Sequence, residues 1–392
     1  MSKKFFLEIP EEVLHDLPIN LDKPFSLTVD NDKINLTQSK SPTAIQAISL
    51  RWFIIPTLIA SVIFALFFWQ QKITQIPLTG TISISSFVLL LGLIFGMICF
   101  TAFFIKEKRH EQSATAKNIY WRNFPTILLS FAMALAFVIM VFFWTLGIVF
   151  RAATFDLWTA TTLFALFTAI INYAMINFAL ALSPRLILQV LIAVIVGGVG
   201  FSMITNSSLH WWKLNFSFLG TAEAKNAWQF NLTLMISALL MIALVDYLFV
   251  ALQKYQAKTW RLNTLRILLT LTAVNLGLVG FFPNNGLGRL HELHNQAANF
   301  LVYMIILLII GIYWLLPNVT REFLGVSYGI AAVLILGDIL FQVFHYLSLT
   351  AFEMIAFALA FSWIILLLQN LLKLMEHPKT FEIQLKSINK EE

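Results

Sequence analysis

The stretch Phe124-Pro-Thr-Ile-Leu-Leu-Ser130-Phe-Ala-Met-Ala-Leu-Ala-Phe-Val-Ile-Met140-Val-Phe-Phe-Trp-Thr-Leu-Gly147 contains no Asp, Glu, Lys or Arg. Coiled as an α-helix at ~1.5 Å per residue, it is long enough to cross the ~30 Å hydrocarbon core of a bilayer. Runs of the same kind recur at 52–69, 82–105, 159–182, 186–205, 230–252, 263–282, 297–316, 323–345 and 350–372. A soluble chain would interrupt such runs with polar faces. The expected fold is therefore an all-α integral membrane protein of about ten transmembrane helices.

Composition agrees. Of 392 residues, 59% are apolar and 12% are charged, with mean hydropathy +0.81. Soluble domains carry roughly 25% charged residues. The single cysteine, Cys99, leaves no intramolecular disulfide and no thiolate metal cluster. The polar first 51 residues predict no secretory signal peptide. Between the fourth and fifth runs only Ser183-Pro184-Arg185 intervenes, and the proline predicts a tight turn between two helices.

The net charge of +6 reads by placement, as a topology signal, and implies no nucleic-acid partner. Of the 26 Lys and Arg residues, only Lys72, Arg151, Lys213, Lys225 and Arg289 fall on the side opposite the N-terminus. Basic residues accumulate in cytoplasmic loops. The expectation is a multi-pass protein of the cell membrane with both termini cytoplasmic. A shift in polar content near Ser183 suggests four parts. These are a cytoplasmic segment 1–51, a four-helix part 52–183, a six-helix domain 184–372 and a cytoplasmic tail 373–392.

The tails carry strand signals. Phe25-Ser-Leu-Thr-Val29 and Ile34-Asn-Leu36 flank Asp30-Asn31-Asp32, the pattern of a β-hairpin. Lys4-Phe-Phe-Leu-Glu-Ile9 and Phe381-Glu-Ile-Gln-Leu385 alternate likewise, so one small sheet formed by both tails is expected, against disordered tails as the plainer alternative.

Polar residues gather on the side expected to face outward. The loop 206–229 holds His210, Trp211, Trp212, Asn215 and Ser217, too apolar for a free loop and too short to span. It reads as an interfacial or re-entrant segment over the bundle mouth, with its Trp pair at headgroup level. Segment 283–299 contains His291 and His294, three apart and so on one helix face. Two such imidazoles can ligate one metal, yet His-Glu-x-His is not the His-Glu-x-x-His spacing of metalloproteases.

In the ninth run, Asp338, Gln342 and His345 stand at i, i+4 and i+7 on one face, with Asp338 ~10 Å deeper than His345. An ionisable group at that depth costs ~3 kcal/mol and marks a candidate site. Asn275, at similar depth in the seventh run, is the expected partner. The stripe would wall an outward-facing polar cavity, with Trp211, Ser217 and Asn231 as further ligand-facing candidates. The plainer readings make Asp338 a strut between helices, Asn172 and Asn177 interhelical hydrogen-bonders, and Asp246 and Glu353 snorkelling residues.

Asn215-Phe-Ser217-Phe-Leu219-Gly220, then Phe230-Asn231, Phe282-Pro283 and Gly288-Arg-Leu-His291, occur in an order that resembles the uncharacterised bacterial and archaeal membrane family named domain of unknown function 998. The resemblance covers about 186–372 and implies a six-span unit, with Ser217, Gly220, Asn231, Pro283 and His291 as the family positions. That pattern is loosely similar to eukaryotic six-span proteins of lipid-anchor remodelling and autophagy, which implies a link to lipid.

Three functions compete. The first is binding or moving a lipid or small amphiphile through the outward-facing cavity. No P-loop is present, so ATP-driven transport needs a partner subunit. The second is a membrane-embedded hydrolase of lipid amides or esters. There His291, His294, His345 and His210 supply the zinc ligands, and Asp338 bonds a ligand or the bound water. The third is a structural or regulatory subunit whose tails recruit a cytoplasmic partner.

Overall fold

In hydrocarbon a backbone N–H or C=O finds no partner outside its own helix, so each apolar run closes into one. The computed structural model describes residues 25–30, 33–38, 49–109, 119–255, 259–284, 288–316, 319–375 and 379–383. Among these, ten helices are long and apolar enough to cross a membrane. They are α1 (Arg51–Gln70), α2 (Ile84–Arg109), α3 (Trp121–Val149), α4 (Leu157–Leu180), α5 (Pro184–Thr205), α6 (Ala227–Tyr255), α7 (Trp260–Phe281), α8 (Arg289–Leu315), α9 (Arg321–Gln342) and α10 (Leu349–Met375). The expected all-helical, ten-span architecture is the observed one.

Local chemistry sets the helix ends. Pro184 sits in the first turn of α5, where its missing N–H has no intrahelical partner to lose, and Ser183 caps that turn by accepting from the Leu186 N–H at 3.2 Å. Asp156 caps α4 by accepting from the N–H groups of Trp158 and Thr159 at 3.0 and 3.2 Å. Helix α9 stops at Gln342, because His345 turns left-handed (φ +50°) and the Tyr346 N–H bonds back to the Leu340 carbonyl. A left-handed residue ends the helix there, and histidine is among the side chains that tolerate the conformation. The expected span to residue 345 is corrected accordingly.

The described residues from 50 to 372 form one compact unit. In it α4 packs on α1 and α2, while α5, α6, α7 and α8 pack as successive neighbours. Helix α3 lies against both α5 and α6. The most enclosed helix is α6, with 78% of its membrane window buried in protein against 17% for α9. Close approach of α5 to α6 rests on Gly198, where a Cβ would lie 2.2 Å from the Thr233 hydroxyl. This is the small-residue contact by which membrane helices associate without a hydrophobic drive between them.

Two-residue strands β3 (Ile76–Pro77) and β4 (Thr154–Phe155) pair antiparallel and tie the α1–α2 connection to the α3–α4 connection. The described strands outside the helical unit form a second unit, with strands β1 (Phe25–Asp30), β2 (Lys33–Gln38) and β5 (Lys379–Ile383) in the order β2-β1-β5. Both pairings are antiparallel, and their register sets Leu27 opposite Leu36 and Phe381. The expected sheet of both tails is therefore present. Its anticipated strand 4–9 and residues 384–385 lie outside the described residues.

Candidate functional site

Asp246 lies on α6 within the membrane window, and only 6% of its surface is exposed. A lone carboxylate there would cost several kcal/mol in lost hydration. Three donors from two other helices offset that cost. The Arg122 guanidinium donates to Oδ2 at 2.6 Å and the Asn123 amide donates to the same oxygen at 2.9 Å. The Arg266 guanidinium donates to Oδ1 from α7. With two cations on one anion, the cluster carries a net charge of +1.

The sequence near each donor explains its position. A 3-10 turn at Trp121–Asn123 opens α3 and presents two consecutive donors to Asp246. Trp121 is fixed edge-on against Phe104, with the Lys108 ammonium 4.9 Å from its ring centroid. The Arg122 guanidinium rests over the Tyr120 ring at 4.9 Å, a cation–π contact that leaves much of the side chain in the open. Side-chain exposure is 67% for Arg122 and 31% for Arg266, so the cluster is open on the Arg122 side.

A cavity of about 430 Å³ adjoins it, floored by Arg122, Asn123, Asp246 and Arg266 and walled by Thr126, Leu239, Ile242 and Thr270. A second hollow of about 410 Å³ is lined by Asn263, Arg266, Ile267, Thr270 and Leu271. Arg266 and Thr270 line both, so the two hollows share these side chains. Both hollows are open rather than enclosed. The arrangement is a polar, net-positive head joined to an apolar wall along α6 and α7.

The residues expected at the opposite ends of these helices are spent on the fold. His291 Nδ1 meets the Asn284 Oδ1 at 2.5 Å, and the Asn295 amide donates to its Nε2 at 3.0 Å, so both ring nitrogens are engaged. His294 is buried and its Nδ1 lies 2.7 Å from the Phe282 carbonyl and 3.1 Å from that of Val279. Those carbonyls end α7, where no intrahelical donor remains, and the imidazole ties α8 to them. His210 is exposed and left-handed, edge-on to Trp212 at 5.2 Å. Among the described residues no three His, Cys, Asp or Glu side chains come together to hold a metal. The four-histidine zinc set is thus not assembled, because each imidazole is held by its own local partners or stands apart.

The α9 stripe is also altered. Gln342 donates to the Asp338 carboxylate at 2.8 Å, so these two form the pair that the spacing implies. His345 lies beyond the helix end and leaves the stripe. Asn275 donates to the Leu271 carbonyl of its own helix at 2.9 Å and makes no bond to Asp338.

Segment 206–226 is a folded cap. Trp211, 5% exposed, donates its indole N–H to the Met203 carbonyl at 3.2 Å, so Trp212 is the exposed member of the pair. Asn231 donates to the Gly220 carbonyl at 3.0 Å. Glu353 accepts from the Phe216 N–H at 2.5 Å, beside a half-buried Ser217. Glu353 therefore pins the cap to α10, and the snorkelling reading of both Glu353 and Asp246 gives way to hydrogen bonding inside the protein.

Comparisons with protein-family models, with curated proteins and with solved structures return no match for this chain.

Proposed function

We propose that this multi-pass membrane protein binds an anionic amphiphile, with the head at Arg122 and Arg266 and the apolar part along Leu239, Ile242, Ile267 and Leu271. One observation carries the reading. Two guanidiniums converge on a single carboxylate beside a cavity whose remaining lining is Thr126, Leu239, Ile242 and Thr270. A lipid ligand is retained from the sequence reading, but its site moves from the outward-facing stripe to the α3–α6–α7 groove. With basic loops on the cytoplasmic side, the groove belongs to the cytoplasmic leaflet of the cell membrane.

The test is photocrosslinking with a lipid that carries a diazirine in its acyl chain, followed by peptide mapping. Labels concentrated on α6 and α7 near Leu239, Ile267 and Leu271 support the groove. Labels spread evenly over every lipid-facing helix contradict it.

A further inference from the structure

Resting on the groove reading, we infer that the occupant is a phospholipid whose head carries one net negative charge, a phosphodiester without an ammonium group. The inference comes from charge complementarity at a site that is buried at Asp246 and open at Arg122. Arg122 and Arg266 contribute two positive charges and Asp246 one negative, and Asp246 is 6% exposed. The surplus positive charge is attractive to an anion, and the ligand of matching charge brings the sum to zero. A phosphate monoanion does so. A zwitterionic head leaves the +1 in place and brings its own ammonium toward two guanidiniums.

The donors suit phosphate in particular. Each guanidinium has five N–H groups in a planar fork that matches phosphate oxygens two at a time. The bonds to Asp246 use only part of that capacity. Arg122 has N–H groups to spare on its open side, since one nitrogen holds Asp246 and 67% of its side chain is exposed.

The walls identify the source of the phosphate as a lipid. Leu239, Ile267 and Leu271 are 44%, 58% and 43% exposed and form an apolar flank of the two hollows that Arg266 lines. A free phosphate ion makes no use of that flank. An acyl chain can pack against it by van der Waals contact.

Native mass spectrometry of the full-length protein in an uncharged detergent tests this. Phosphatidylglycerol, phosphatidylcholine and phosphatidic acid of matched chains are titrated, and sodium phosphate is titrated separately. Phosphatidylglycerol is expected to bind about tenfold more tightly than phosphatidylcholine, and Arg122→Gln to remove most of that preference. Asp246→Asn raises the cluster to +2 and is expected to shift preference toward phosphatidic acid at a pH where it is dianionic. Sodium phosphate alone is expected to give no adduct.

A groove-filling variant, Leu239→Trp with Ile267→Trp, separates the two levels of the claim. Equal phosphatidylglycerol and phosphatidylcholine binding, lost together in this variant, overturns the headgroup inference and leaves the groove reading standing. Lipid binding unchanged by the variant overturns both. Saturable binding of sodium phosphate with no lipid preference overturns the lipid assignment in favour of a free anion site.

Discussion

The Asp246 carboxylate and the Arg122 guanidinium meet at 2.6 Å although 124 positions separate them in the chain. Their contact joins the first turn of α3 to the most enclosed helix of the bundle, and Arg266 closes the same carboxylate from α7. The pair is structural and chemical at once. It neutralises a buried acid, and it leaves a surplus positive charge facing a cavity.

Removing the acid is expected to cost more stability than removing either base. Asp246→Ala leaves two cations facing each other beside the membrane interior, a loss of about 3–5 kcal/mol by the measure of broken buried pairs. Arg122→Ala exposes a site that water already reaches and costs about 1 kcal/mol or less. Arg266→Ala falls between them. Thermal unfolding in detergent orders the three variants, and an Arg122→Ala loss as large as that of Asp246→Ala contradicts the account.

At the α5–α6 contact, Gly198→Ala is expected to destabilise by about 1–3 kcal/mol through overpacking. The added Cβ would stand 2.2 Å from the Thr233 hydroxyl and 2.6 Å from its methyl group. Combining it with Thr233→Ala removes both of those atoms and is expected to restore part of the loss. A double variant no more stable than Gly198→Ala alone contradicts the assignment of the clash.

The histidines are expected to act as hydrogen-bonding struts. His294→Ala strands the Val279 and Phe282 carbonyls and is expected to cost about 1–3 kcal/mol. Chelator treatment is expected to leave the melting temperature of the wild type unchanged. Stoichiometric zinc in protein purified without chelator, lost in the His291→Ala, His294→Ala double variant, reverses this reading and restores the hydrolase.

The cap on α4 predicts a pH effect. The Thr159 hydroxyl and backbone N–H groups hold the Asp156 carboxyl below the usual carboxylate range. A carboxylate with a depressed pKa stabilises the fold above its unfolded value of about 3.9, and that stability is lost as pH falls through the lower folded value. Asp156→Ala is therefore expected to lower stability at neutral pH and to converge with the wild type in acid. A constant difference down to pH 2 contradicts the ionic part of the cap.

The ten spans were legible because hydrocarbon forces apolar runs into helices, and Ser183-Pro184 was legible because capping chemistry is local. The pairing of the tails was legible too, since alternation in 25–29, 34–36 and 381–385 marks strands wherever they meet. Periodicity misled at the end of α9, where positions 343–345 were read as helical and the backbone turns left-handed at His345 instead. The site was legible in part. Arg266 falls inside the expected seventh span 263–282, and Asp246 is the one acid in the expected sixth span 230–252. A basic and an acidic residue in adjacent spans is a pairing signal. Arg122 and Asn123 join them only through packing of α3 on α6, which no local pattern encodes.

The most direct test of the groove is an experimental density map of the protein in a lipid bilayer containing phosphatidylglycerol. The account predicts lipid density between α3 and α7, with its head within hydrogen-bonding distance of Arg122 and Arg266 and its chain along Leu239 and Leu271. Ordered lipid elsewhere on the bundle with the groove closed by protein side chains contradicts it.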